Sequence, residues 1–369
     1  MHATNAHVEA NRQMTICNAC RYWEGLCAVF PAMERSRTFS DGSLEYLANL
    51  CHSCGACYYA CQYAPPHEFA VNVPKILAEL RSESYAHSAW PRGLAPLFRR
   101  NGLVVALAAA AAVTLFIGGF ASVHEADALF AVHTGPGAFY RLMPHDTMVM
   151  LFGGAFLFAI IAIGLSVRSF WRTTGGGTVT VSDMLNAGHA AVTLRYLDGN
   201  RGGCMNEDER PDDRRRFYHH CTFYGFLLCF ASTSLATLLH NGFGWHAPYA
   251  WYNPVVLLGV FGGIGLLIGP VGLLRAKQGR DRNVVDARAH GMEVGFLVML
   301  LLTSASGLLL LVLRATPAMG VLLAFHLGVV FALFLTFPYG KFVHGMYRYA
   351  ALVRFARENK SPTSGVSDG

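Results

Sequence analysis

From about residue 100 onward the chain alternates long apolar runs with short polar stretches rich in arginine. Six runs are long enough to cross a bilayer core, which takes roughly 20 apolar residues per helix: 102–122, 148–167, 219–240, 253–273, 294–313 and 318–339. The first 95 residues are polar and cysteine-rich, and lack the basic-then-apolar opening of a signal peptide. The pattern predicts a mainly α protein: a domain over 1–95, a transmembrane helical domain over 96–350 and a tail over 351–369. Glycines mark the helix packing, with Gly259 and Gly263 in a G-x-x-x-G spacing that favours close approach, and Pro270 and Pro338 are expected to kink their helices.

Composition sharpens this. Of 369 residues, 53% are hydrophobic and 14% charged, and mean hydropathy is +0.34. Soluble domains carry about 25% charged residues, so the chain reads as a membrane protein. Arg92, Arg99 and Arg100 precede the first run, Arg214, Arg215 and Arg216 the third, and Arg275, Lys277, Arg280 and Arg282 follow the fourth. Alternate loops hold Arg141, no Lys or Arg, and Arg314. Positive residues stay on the cytoplasmic side, which predicts both termini in the cytoplasm of a bacterial inner membrane. The +6 net charge is this asymmetry, and no nucleic-acid partner is needed to explain it.

Seven of the ten cysteines precede residue 62. In a reducing compartment disulfides are disfavoured, leaving metal or redox chemistry. Cys51, Cys54, Cys57 and Cys61 follow the C-x2-C-x2-C-x3-C spacing of bacterial ferredoxins, in which the fourth thiolate serves the other cluster. Structural zinc instead favours two separated C-x2-C pairs. At an offset of 34 residues the motif repeats: Cys17, Cys20, Cys27 and Pro31 fall on Cys51, Cys54, Cys61 and Pro65. Trp23 stands where the second copy has Cys57. The exchange rule gives one [4Fe–4S] cluster a complete set, Cys51, Cys54, Cys57 and Cys27. The second keeps Cys17, Cys20 and Cys61, since an indole only donates. That leaves three alternatives: a [3Fe–4S] cluster, a [4Fe–4S] cluster with a ligand outside the motif, or a labile site. Cys204 is the spare thiol on the predicted cytoplasmic side, although an unligated loop cysteine is its ordinary reading.

Ionisable groups within spans are costly and usually functional. His326 and His344 are 18 residues apart, five whole turns and about 27 Å of continuous helix. His219 and His220 open the third run and His240 closes it. Matching depths gives a haem site of His219 or His220 with His344 and a second of His240 with His326, so one or two haems. A lone helical histidine more often packs than ligates; matched depths on two helices favour ligation. His124, His133, His145 and His246 read as surface.

The runs CNACRYWEGLCAVFPAME, CHSCGACYYACQYAPPHEF, FYGFLLCF, GLLIGPVGLL, AFHLGVV and FPYGKFVHGMYR resemble the tricarballylate/citrate utilisation protein B family over essentially the whole chain. The resemblance implies an electron-transfer protein with an N-terminal bacterial-ferredoxin-like iron–sulfur domain and a six-helix transmembrane bundle. It would take electrons from the reduced FAD of a separate tricarballylate dehydrogenase through iron–sulfur clusters and haem b to quinone. That family usually has cysteine at the position of Trp23. The last run is similar to the last span of the nitrate reductase gamma subunit, which implies haem ligation at His326 and His344. In the third run that similarity reaches only His219/His220, and the next histidine position falls on Phe230. The architecture also resembles part of a cobalamin-biosynthesis flavoprotein. A rival class, a transporter with a metal-binding cytoplasmic domain, lacks the inverted repeats and mid-membrane acids such proteins use.

Overall fold

The computed structural model describes residues 4–197 and 203–360. The last nine residues of the expected tail lie outside the described residues. The headpiece is built from α1 (Asn5–Cys20), α2 (Val29–Glu34), α3 (Asp41–Leu50), α4 (Ala56–Tyr59) and α5 (Val73–Ser88). Then follow α6 (Asn101–Val123), the short α7 (Ala126–Leu129), α8 (His145–Thr173) and α9 (Val181–Val192). The remainder is α10 (Arg214–Phe243), α11 (Pro254–Gln278), α12 (His290–Leu313), α13 (Met319–Thr336) and α14 (Val343–Lys360). Six helical segments, those containing α6, α8, α10, α11, α12 and α13–α14, are long and apolar enough to cross a membrane, and the chain is a multi-pass membrane protein. The strands among the described residues are a two-residue pair, Cys204–Met205 against Pro211–Asp212.

Local chemistry sets the headpiece helices. Thr4, Ser40 and Asn72 cap α1, α3 and α5 by accepting from the backbone N–H three residues on, which satisfies donors the helix itself leaves free. Arg21, in the left-handed region at φ 53°, closes α1 directly after Cys20. Thr180 and Asp183 form a reciprocal capping box on α9. The headpiece core, with Met14, Met33, Leu47 and Leu77 almost fully buried, also takes in Ala351, Leu352, Val353 and Phe355 from α14 and Ala187 from α9. Ala351, Leu352, Val353 and Phe355, expected as tail, are therefore part of that core. The sequence conceals this because α14 continues directly from the last apolar run.

That run is not one helix. After α13 a 3-10 turn at Phe337–Tyr339 and an extended Gly340 break it before α14 begins. Pro338, lacking an N–H and restricting the residue before it, is the cause. The five-turn relation of His326 to His344 assumed continuous helix and does not hold across this break. Pro270, by contrast, lies inside an unbroken α11.

Between α10 and α11 the backbones nearly touch. A Cβ on Gly262 would lie 2.7 Å from the Cys229 nitrogen, one on Gly265 2.9 Å from the Cys221 carbonyl oxygen, and one on Gly225 2.9 Å from the Gly262 carbonyl oxygen. The seam runs along Gly262, Gly265 and Gly269. Of the expected pair, Gly259 also faces α10, at Ser232, whereas Gly263 faces Leu308 of α12. Spacing alone could not choose between stripes in so glycine-dense a helix.

Candidate redox centre

α1 carries Cys17 and Cys20 on its last turn, one turn apart. The loop from Cys51 to α4 turns through Ser53 and Gly55, both left-handed at φ 49° and 86°, and so brings Cys54 and Cys57 back towards Cys51. The Ser53 N–H donates to Cys51 Sγ at 3.3 Å. Burial pushes the Cys27 and Cys17 thiols up to about 12 and the Cys54 thiol to about 11. Cys51 and Cys54 add to the rise at Cys27, while the Val29 N–H opposes it. Cys61 and Cys20 act the same way on Cys17, and Cys57 is raised by burial, then by Cys54, Cys51 and Cys27, and least by Cys17 of the other group. The thiols thus fall into two neighbourhoods: Cys27 with Cys51, Cys54 and Cys57, and Cys17 with Cys20 and Cys61. Among the described residues no group of His, Cys, Asp or Glu closes on a single-ion position. The donor set, thiols in two arcs with backbone N–H groups aimed at sulfur, fits iron–sulfur clusters, whose ligands are thiolates.

Cys204 does not join the three-thiol group. Its buried side chain packs with Leu194, Leu197 and Cys54, and its sulfur accepts from Arg215 Nη1 at 3.6 Å. The Met205 N–H donates to the Cys54 carbonyl at 2.8 Å, fastening this segment to the other thiol group.

Four arginines converge on residues 51–54, a feature the sequence reading missed because they come from distant segments. Arg81 Nη1 donates to the Cys51 carbonyl at 2.5 Å and Nη2 to Ser53 Oγ at 3.1 Å. Arg215 Nη1 donates to the Ser53 carbonyl at 3.4 Å, and Arg280 donates to the same oxygen. Arg348 spans the loop, donating to the Asn49 carbonyl at 3.2 Å and the Cys51 carbonyl at 2.6 Å. Its third nitrogen lies 2.6 Å from His52 Nδ1. Burial, then Arg348, Arg215, His219 and Arg81, hold the His52 pKa well below the usual imidazole value. His52 is therefore neutral, and its Nδ1 accepts from Arg348.

Behind His52 stand two of the expected histidines. The His219 and His344 rings, from α10 and α14, lie 6.1 Å apart between centroids and 75° apart in plane. With each metal–nitrogen bond about 2 Å, two imidazoles sharing one metal have centroids roughly 6 Å apart. His344 Nδ1 lies 2.5 Å from the Lys341 carbonyl, which leaves Nε2 to face the gap; His219 Nδ1 is buried without a hydrogen-bond partner. The two residues could hold a haem between their rings. His220 packs on Tyr224 at 5.7 Å instead.

The expected outer pair is not brought together. His240 stacks on His145 at 3.7 Å and meets His246 at 4.6 Å and Tyr140 at 5.2 Å. His326 has Ser306 Oγ 2.8 Å from its Nδ1. Depth matching set the level of His240 along α10 but not the side from which a neighbour approaches. His145 and His246, read as surface, are those neighbours.

A cysteine-dense helical headpiece, joined through Arg215, Arg280 and Arg348 to a six-span bundle with facing histidines, defines a class: a membrane protein with a ferredoxin-like domain. The citrate utilisation protein B profile matches residues 96–365, and that family's Fer4-like domain profile matches 10–87. The chain belongs to the citrate utilisation protein B family. It is 48% identical to the Escherichia coli citrate utilisation protein B over 358 residues, covering 97% of this chain and 94% of that protein. No solved structure matches the chain.

Proposed function

We propose that the chain is the membrane electron-transfer partner of a FAD-dependent dehydrogenase acting on tricarballylate, citrate or a related tricarboxylic acid, and delivers the electrons to quinone. The observation that carries this is the continuity from cysteine loop to histidine pair: His52 lies within the Cys51–Cys54 loop, Arg348 joins it to α14, and His344 is one turn away on that helix. The name of the Escherichia coli relative supports the tricarboxylate class.

Cys27, Cys51, Cys54 and Cys57 would hold a [4Fe–4S] cluster, Cys17, Cys20 and Cys61 a second cluster, and His219 with His344 a haem b. These groups supply one-electron transfer, and the protein supplies their position and electrostatics. Arg81, Arg215, Arg280 and Arg348 counter the negative charge of iron-bound thiolates next to a low-dielectric bundle. Cys17, Cys20 and Cys61 lie towards the headpiece surface, next to the exposed Arg21 and Tyr22, where a soluble partner can dock. The distribution of Lys and Arg favours a cytoplasmic headpiece in the bacterial inner membrane.

The test is stopped-flow mixing with the reduced dehydrogenase in liposomes with and without quinone. Haem should reduce, then reoxidise when quinone is present. Haem reduction at the wild-type rate in Cys54→Ser protein would show that electrons bypass the thiols.

A further inference from the structure

A cavity of about 140 Å³ lies where α1 ends, and Cys17, Cys20 and Cys61 line it. Trp23 forms another part of its wall, at the position the internal repeat reserves for a thiol. The indole is half-buried against the headpiece core and held edge-on by Tyr22 at 4.8 Å. Cys204, the spare thiol, is committed beside Cys54 and does not line the cavity.

The chemistry of that fourth corner separates the two cluster types. A cube presents an iron at every corner, and an iron needs an electron-pair donor. Indole offers none; its nitrogen carries a hydrogen and only donates. A [3Fe–4S] cluster presents bridging sulfides at the corner without iron, and sulfides accept hydrogen bonds. Gln62 adds a second donor, with its amide nitrogen 4.0 Å from Cys20 Sγ. Ile16, Phe30 and Val71 add apolar wall, and the lining holds no fourth thiol, carboxylate or imidazole to ligate a fourth iron.

We propose that Cys17, Cys20 and Cys61 form a dedicated three-iron site, with Trp23 closing the corner where a fourth iron would stand. This rests on the iron–sulfur reading of the headpiece and commits its second centre to one type. Trp23 is a selecting residue: it ligates nothing, and its bulk and lack of a lone pair exclude the fourth iron.

The experiment is iron and labile-sulfide analysis with EPR on anaerobically purified full-length protein. Three ferric ions carry an odd electron count, so the oxidised wild type should show a cluster EPR signal beside and distinct from that of the ferric haem, whereas an oxidised cube adds none. Trp23→Cys should abolish that cluster signal, leave the ferric-haem signal in place and raise the iron content by one per chain. Trp23→Phe, which keeps the apolar wall and is also no ligand, should retain the cluster signal. An oxidised wild type with two full cubes and no signal other than that of the ferric haem overturns the inference. So does Trp23→Phe protein that loses the cluster signal while its other cluster still reduces normally. Protein with neither labile sulfide nor cluster iron in any variant would instead overturn the iron–sulfur reading itself.

Discussion

Replacing Arg348 by methionine should loosen the loop that joins the cysteine group to the histidine pair. The guanidinium donates to the Asn49 carbonyl, the Cys51 carbonyl and His52 Nδ1. Arg81 also donates to the Cys51 carbonyl, so that oxygen keeps a partner. Two acceptors are stranded, each at a cost of about 1–3 kcal/mol. Removing a buried charge offsets part of this, leaving a net loss of about 3 kcal/mol. That is roughly a hundredfold rise in local opening, at about 1.4 kcal/mol per factor of ten. Hydrogen exchange of peptides covering residues 47–57, in lipid nanodiscs, measures it directly. Arg348→Lys, a single-point donor in place of a fork, should fall between the two. Exchange in Arg348→Met within a factor of three of wild type would refute the argument that this side chain fastens headpiece to bundle.

His219→Ala and His344→Ala should each abolish the spectrum of the haem proposed between them, while His220→Ala should keep it; reduced-minus-oxidised difference spectra decide. Gly262→Val should cost about 1–3 kcal/mol or more by forcing α10 and α11 apart, whereas Gly259→Ala meets Ser232 Oγ at 3.2 Å and should be tolerated; thermal unfolding in detergent separates the two. His7 has its pKa raised, chiefly by the Glu45 carboxylate 3.6 Å from its Nε2. Its stabilisation is therefore fully present below the unfolded value near 6.5 and is lost as pH rises through the higher folded value. Exchange protection of α1 should weaken across that window, and Glu45→Gln should flatten the dependence.

The cysteine spacing was legible because ligation by a short loop fixes residue intervals, and so was the vacancy at Trp23. The spans were legible because the bilayer demands length and apolarity. The arginine group was not, since Arg81, Arg215, Arg280 and Arg348 are scattered over more than 250 residues of chain and no local rule relates them. The histidines divide along the same line. His219 and His344 sit at helix ends whose level follows from span length, whereas the neighbours of His240 depend on how the far-end loops fold back.

The sequence by itself determined the mainly helical class, the six apolar spans, the cysteine repeat and its missing thiol, because each is a periodicity or an interval written along one segment. Only the tertiary structure decided that α14 belongs to the headpiece core, that Cys204 stands beside Cys54, and that His219 rather than His220 faces His344. Those outcomes depend on which faces of separate helices meet, and that is set by close packing among all of them at once.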